Sequence, residues 1–134
     1  MTSVQTGLSS ARLSTELNTI LSYALDAHEC GYSVIPLKGG RNQVTGKQPR
    51  ITWQTYQTQY ASHKQIEQWI RGGTSAYGIV CGQISRLIVI DFDDPDAQST
   101  FIQKFPHLMN TYIVKSGGRG TLHLYFEVDF SVRT

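Results

Sequence analysis

Two aspartates one residue apart, Asp91 and Asp93, end the apolar run Leu87–Ile90. In an extended chain alternate side chains share a face, so Asp91 and Asp93 project together while Ile90 and Phe92 take the other side. Their β-carbons would then lie roughly 7 Å apart, two strand rises. Carboxylates that close repel each other unless positive charge sits between them. Mg²⁺ or Mn²⁺ takes such oxygen donors and leaves coordination positions for phosphate oxygens. Ordinary polar residues at a strand end would have the same composition, but hard-cation ligation explains both the residue type and the parity. Asp94 and Asp96 need no such role, since helix capping accounts for them.

His123 is the next candidate. Within Thr121–Phe126, Leu122, Leu124 and Phe126 point one way, and Thr121, His123 and Tyr125 the other. An imidazole on that polar face can donate to a phosphate or move a proton. Taken alone it reads as a structural or surface histidine; beside the aspartate strand it becomes a ligand-binding group. His28, His63 and His107 lack such a context and read as structural or solvent-facing. The stretch Ser116-Gly117-Gly118-Arg119-Gly120 precedes Thr121. Its glycines allow backbone amides close to a phosphate and Arg119 adds a donor fork. It is not a P-loop, which requires GxxxxGK[ST], and by itself it reads as a hairpin turn. Lys47, in Gly46-Lys47-Gln48-Pro49-Arg50, reads alone as a solvated loop lysine. Trp53 and Trp69 read as core anchors rather than base-stacking platforms.

The elements that must position these groups follow from periodicity. Leu13, Leu17, Ile20, Leu21 and Ala24 recur at helical spacing, with Gly31 as the stop. Tyr32–Leu37 is a short strand, and Lys38–Arg50 a Gly- and base-rich loop. Ser62 opens a second helix with Gln65 completing a capping box, Ile66, Trp69 and Ile70 form its inner face, and Gly72-Gly73 ends it. Ala76–Cys81 is a strand and Gly82–Arg86 a turn. Leu87–Ile90, apolar throughout, reads as a central strand covered on both faces. Asp94-Pro95 starts a third helix, with Asp94 as N-cap and Asp96 complementing the dipole. Thr111–Lys115 and Thr121–Val128 close the order. The expectation is an α/β (α+β) fold, with a mixed sheet of about five strands and three flanking helices.

Composition agrees with a folded domain. The 134 residues are 40% hydrophobic and 16% charged, and no apolar run approaches the ~20 residues of a membrane span. The N-terminus lacks the apolar core of a signal peptide. Cys30 and Cys81 share no metal-ligand spacing and read as reduced thiols of a cytoplasmic protein. Net charge is only +2, but it is unevenly spread. No acid falls between Glu29 and Glu67, where Lys38, Arg41, Lys47, Arg50 and Lys64 do, and none between Asp96 and Glu127. Four of the ten acids crowd into Asp91–Asp96. A compact negative spot among basic segments suits a cation that bridges to phosphate; chance clustering on a solvated surface is the plain alternative.

Taken in order, these residues resemble the N-terminal domain of bifunctional primase–polymerases in the archaeo-eukaryotic primase superfamily. The resemblance runs from about Ala24 to Phe126. It opens with "ALxxxxxGYSVIPL" (Ala24 to Leu37), continues with Gly46, Lys47, Pro49 and Trp53, then the helix of Ile66 and Trp69, then Tyr77-Gly78-Ile79 closing at Gly82. The family's hydrophobic-DxD motif is matched by Ile90-Asp91-Phe92-Asp93. Its small-x-His motif after a Gly-rich turn is matched by Ser116–Gly118 and Thr121-Leu122-His123.

The resemblance implies metal-dependent nucleotidyl transfer in DNA replication, with Asp91 and Asp93 on Mg²⁺ or Mn²⁺ and His123 on the incoming triphosphate. Lys47, Ser116, Gly117, Gly118, Arg119 and Thr121 would be phosphate contacts. DNA template and NTP or dNTP would be the partners, with a helicase fused or associated, in a plasmid, phage or other mobile element. Tyr77 stands where the family often has Asn, which leaves the choice of NTP or dNTP open.

The family also uses a third acid on a later strand. Here eleven residues follow His123, with Glu127 and Asp129 the only acids, both too early for that role. The expectation is therefore a flexible arm at 1–10 and, at 11–134, the N-terminal portion of a domain that continues beyond the chain, its activity alone in question. Two rival readings remain. One is a non-catalytic nucleotide or nucleic-acid binding module. The other is a haloacid-dehalogenase-like phosphatase, which also places DxD after an apolar strand but follows it shortly with Thr or Ser, where this chain has Asp94-Pro95.

Overall fold

A computed structural model describes residues 3–40, 42, 44–116 and 120–129. The chain divides into two compact units, Met1–Val80 and Cys81–Thr134. The mixed α/β class holds, but the five strands form two antiparallel sheets of two and three strands, not one sheet of about five. Gly82 (φ +100°) and Arg86 (φ +50°) turn the chain back after the second strand, through a Gly82–Leu87 bridge, so the third strand opens a new ladder.

In the first unit, α1 (Ser3–Glu29) begins well before Leu13 and stops where Gly31 adopts φ +89°, a conformation costly for a residue with a Cβ. β1 (Ser33–Leu37) pairs along its length with β2 (Ala76–Val80). Between them α2 (His63–Arg71) is capped by Ser62, whose hydroxyl accepts the amide of Gln65 at 3.1 Å. Leu21 and Ala24 of α1, Val34 of β1, Ala61, and Ile66 and Ile70 of α2 form the buried core. Trp69 packs against this core and meets Tyr56 edge-on, as an anchor should. Burying Ile66, at 1% exposure, contributes about 1.5–3 kcal/mol by transfer alone.

The second unit holds β3 (Leu87–Asp91), α3 (Pro95–Lys104), β4 (Tyr112–Lys115) and β5 (Leu122–Glu127). The strand order is β3-β5-β4. β3 is thus an edge strand of this sheet, not the central one its apolar run suggests, and Ile88 is 41% exposed. An unbroken apolar run reflects strand propensity as readily as two-sided burial. β5 is central, and its Leu124 is fully buried. Asp94 starts α3 as its side chain accepts the amides of Asp96 and Ala97, both at 3.2 Å, with Pro95 in the first turn. Cys30 and Cys81 are not joined in a disulfide, and desolvation pushes the Cys81 thiol up from its ordinary value. No helix among the described residues is long and apolar enough to cross a membrane.

Candidate active site on the second unit

Register brings the principal candidates together. In the antiparallel ladder of β3 and β5, Asp91 lies directly opposite His123, so the two side chains share a face. Nε2 of His123 lies 3.0 Å from Oδ1 of Asp91, within hydrogen-bond range for Nε2–H donating to the carboxylate. The Asp91 side chain is 59% exposed and that of His123 25%. The carboxylate therefore keeps access to solvent while the ring is held against the sheet. Val114 of β4 is His123's partner on its other side, so the imidazole sits mid-sheet between two strands.

The segment after β3 behaves differently. β3 ends at Asp91, and Asp93 falls in a bend that leads into the cap of α3. Alternation of burial persists nonetheless: Asp91 is exposed, Phe92 buried, Asp93 exposed. Phe92 anchors this turn, its ring meeting Phe101 of α3 edge-on at 5.3 Å between centroids. Asp94 and Pro95 commit the chain to a helix two residues after Asp93, so the extended geometry cannot run on. The shared strand face expected for both aspartates is thus met by a strand end and a bend.

Among the described residues, no three His, Cys, Asp or Glu side chains gather into one cluster. Asp91 and His123 are brought together, and Asp93 does not complete a trio with them. Two exposed carboxylates nevertheless have the donor chemistry of a hard divalent cation.

The other predicted residues divide by location. Ser116 follows β4 and Thr121 precedes β5; the amide of Ser116 donates to the Thr121 carbonyl at 2.7 Å, closing the hairpin two residues before His123. Thr121 is buried and Ser116 half-buried. Gly117, Gly118 and Arg119 lie outside the described residues. Lys47 belongs to the first unit, exposed on the loop after β1.

Two positioning groups escaped the sequence reading. Gln98 of α3 accepts the Leu122 amide through Oε1 at 2.7 Å, tying the helix to the start of β5 one residue from His123. Tyr112 packs edge-on against Tyr125 on the same sheet face as His123, and the Thr111 hydroxyl donates to the Tyr125 carbonyl. Parity placed Tyr125 on that face, but no local pattern marks Gln98, whose partner is 24 residues away.

The strand order, the DxD turn and the helix that it starts define a mixed α/β domain. The family model described as bifunctional DNA primase/polymerase, N-terminal, matches residues 24–132, and the chain belongs to that family. Its function is accordingly of the DNA primase/polymerase type, with DNA and nucleotides as the substrates such a domain implies. No significant match to a curated protein or to a solved structure was found.

Proposed function

We propose that the second unit binds the triphosphate of an NTP or dNTP and serves metal-dependent nucleotidyl transfer on a DNA template. The observation that carries this is the Asp91–His123 pair, a carboxylate and an imidazole placed opposite each other on one sheet face at 3.0 Å. Asp91 and Asp93 would hold Mg²⁺ or Mn²⁺. When bound there, the cation neutralises phosphate charge and stabilises the attacking and leaving oxygens.

The chain's own groups prepare that chemistry. Asp91 holds the His123 ring on the sheet face that a phosphate bound at the aspartates would meet. Ser116 and Thr121 close the turn that leads into His123, and Arg119 would be a further phosphate contact. In the reaction a 3′-hydroxyl attacks the α-phosphate, a new P–O bond forms, and pyrophosphate leaves with the electron pair of the broken bond.

The test is equilibrium binding of a dNTP in Mn²⁺ to the native chain, Asp91→Ala and Asp93→Ala. Each substitution should weaken binding by roughly tenfold or more, the scale of one lost charge-assisted contact. Undiminished affinity in Asp91→Ala would sink the reading. The lack of a three-acid cluster among the described residues favours a second reading, nucleotide binding without turnover. Template-directed incorporation of labelled nucleotide by the native chain, set beside the binding result, separates the two.

A further inference from the structure

Backbone hydrogen bonds tie down the described residues of the loop between β1 and α2 despite its glycine-rich composition. It folds back along the end of β1: Lys38 N–H donates to the Gln48 carbonyl at 2.9 Å, Gly39 N–H to the Gly46 carbonyl at 2.9 Å, and Arg50 N–H to the Pro36 carbonyl at 3.0 Å. A Leu37–Pro49 bridge continues this ladder. The close packing demands glycine, because a Cβ at Gly46 would lie 2.6 Å from the Asn42 carbonyl oxygen. Lys38, Lys47 and Arg50 are thereby carried on one hairpin-like excursion in a stretch with no acid between Glu29 and Glu67.

At its base lies an open cavity of about 270 Å³, walled by Pro36, Arg50, Gln68, Trp69 and Thr74. Two of its walls are fixed from behind. The Arg50 guanidinium donates through Nη1 to the hydroxyl of Thr74 at 2.9 Å, and Thr74 is 2% exposed. Trp69 is held by the core and by the edge of Tyr56, with ring centroids 5.6 Å apart. The cavity thus joins a pre-oriented cation, an aromatic wall and an amide side chain. A planar base linked to a phosphate offers a partner for each.

We propose that this cavity and the basic excursion above it form a binding site for single-stranded nucleic acid, with a base against Trp69 and the adjoining phosphate on Arg50. Single strands are bound by the combination of an aromatic wall and a cationic track. Lys38, Lys47 and Arg50 offer a strand several phosphate partners along one excursion, more than a mononucleotide needs. The site lies wholly in the first unit and goes beyond the nucleotide site of Asp91 and His123.

The experiment is the binding of a fluorescein-labelled oligo(dT) to the full chain in EDTA, which silences any metal-dependent nucleotide site. Arg50→Gln should lower affinity by about tenfold and reduce the salt slope by about one. Asp91→Ala should bind the oligonucleotide as the native chain does. Native-like affinity and slope in Arg50→Gln would overturn the proposal. So would displacement of the oligonucleotide by dTMP at equal nucleotide concentration, which would mark a mononucleotide pocket.

Should Arg50→Gln fold poorly, emission decides. In Trp53→Phe the remaining indole is Trp69, and saturating oligo(dT) should quench it. Unchanged emission at saturation refutes the site. Failure here leaves the nucleotide reading standing, because Mn²⁺-dependent dNTP binding is measured separately.

Discussion

The two units of this chain are built to different priorities. The first buries Leu21, Ala24, Val34, Ile35, Ala61, Ile66, Ile70 and Val80 among its described residues, drawing on two helices and both strands. The second buries only Leu87, Phe92 and Leu124 of its described apolar side chains, and leaves Ile88, Phe105, Tyr112 and Ile113 substantially exposed. Charge separates them as well: the long acid-free basic stretch lies in the first, and the cluster Asp91–Asp96 in the second. One region therefore gains its stability from burial. The other holds the sheet face of Asp91 and His123 in place with a strand ladder, one cap and a few rings.

The largest test of that contrast is to hollow each core. Ile66→Ala and Leu124→Ala each remove a side chain with at most 1% exposure, and each should cost about 2–5 kcal/mol in urea unfolding. Their consequences should differ. Leu124 immediately follows His123 on the central strand, so Leu124→Ala should also weaken Mn²⁺-dependent nucleotide binding by the folded chain. Ile66→Ala, corrected for the folded fraction, should not. Equal losses of binding would show that the first unit's core supports the site as much as the second's.

His123 gives the next effect. His123→Ala should reduce nucleotide affinity by about tenfold, or ~1.4 kcal/mol. His123→Gln, which keeps a donor within reach of Asp91, should lose less. Isothermal titration in Mn²⁺ measures both. If Gln behaves like Ala, the ring's shape matters more than its polar contact with Asp91.

Much of this was legible in the sequence where the chemistry is local. Asp94 and Ser62 declared their caps through residue type and spacing, because an N-cap needs only the next three residues. Gly31 declared a helix end for the same reason. The strand membership of Asp91 and the face of His123 followed from period two. What was not legible depends on pairing at a distance. That β5 lies between β3 and β4 brings Asp91 opposite a residue 32 positions away, and no local pattern encodes such a register. The division into two sheets was hidden for the same reason: each strand looked competent to join any neighbour. Asp93 leaving the strand was written in Asp94-Pro95, but the strand and helix signals there overlap.

The caps give a smaller comparison. Asp94 accepts two amides and Ser62 one. Asp94→Ala should therefore cost more than Ser62→Ala, both near ~1 kcal/mol by thermal melting. Added salt should shrink the Asp94 cost, because a carboxylate at a helix N-terminus acts through the dipole as well as the hydrogen bonds. A larger cost at Ser62 would mean that the first unit leans more on its cap than the second does, against the contrast in burial.

The smallest effect on stability carries information about charge. Glu67 accepts from Arg71 at 2.9 Å, four residues along α2, with Arg71 exposed and Glu67 partly so. Such a pair contributes about 0.3–0.5 kcal/mol, so Glu67→Gln should barely move the melting curve. Yet Glu67 is the only acid between Glu29 and Asp91, and its loss frees Arg71 on the helix that supplies Gln68 and Trp69 to the cavity. Oligo(dT) affinity in EDTA should rise by about two- to threefold at low salt, and the gain should vanish near 0.5 M salt, where screening shortens the reach of surface charge. Mn²⁺-dependent dNTP affinity should stay as it was, because that binding belongs to the other unit. A gain in nucleotide affinity as large as the gain in oligonucleotide affinity would mean that both ligands answer to one electrostatic surface, and the division of labour between the basic and the acidic unit would have to be abandoned.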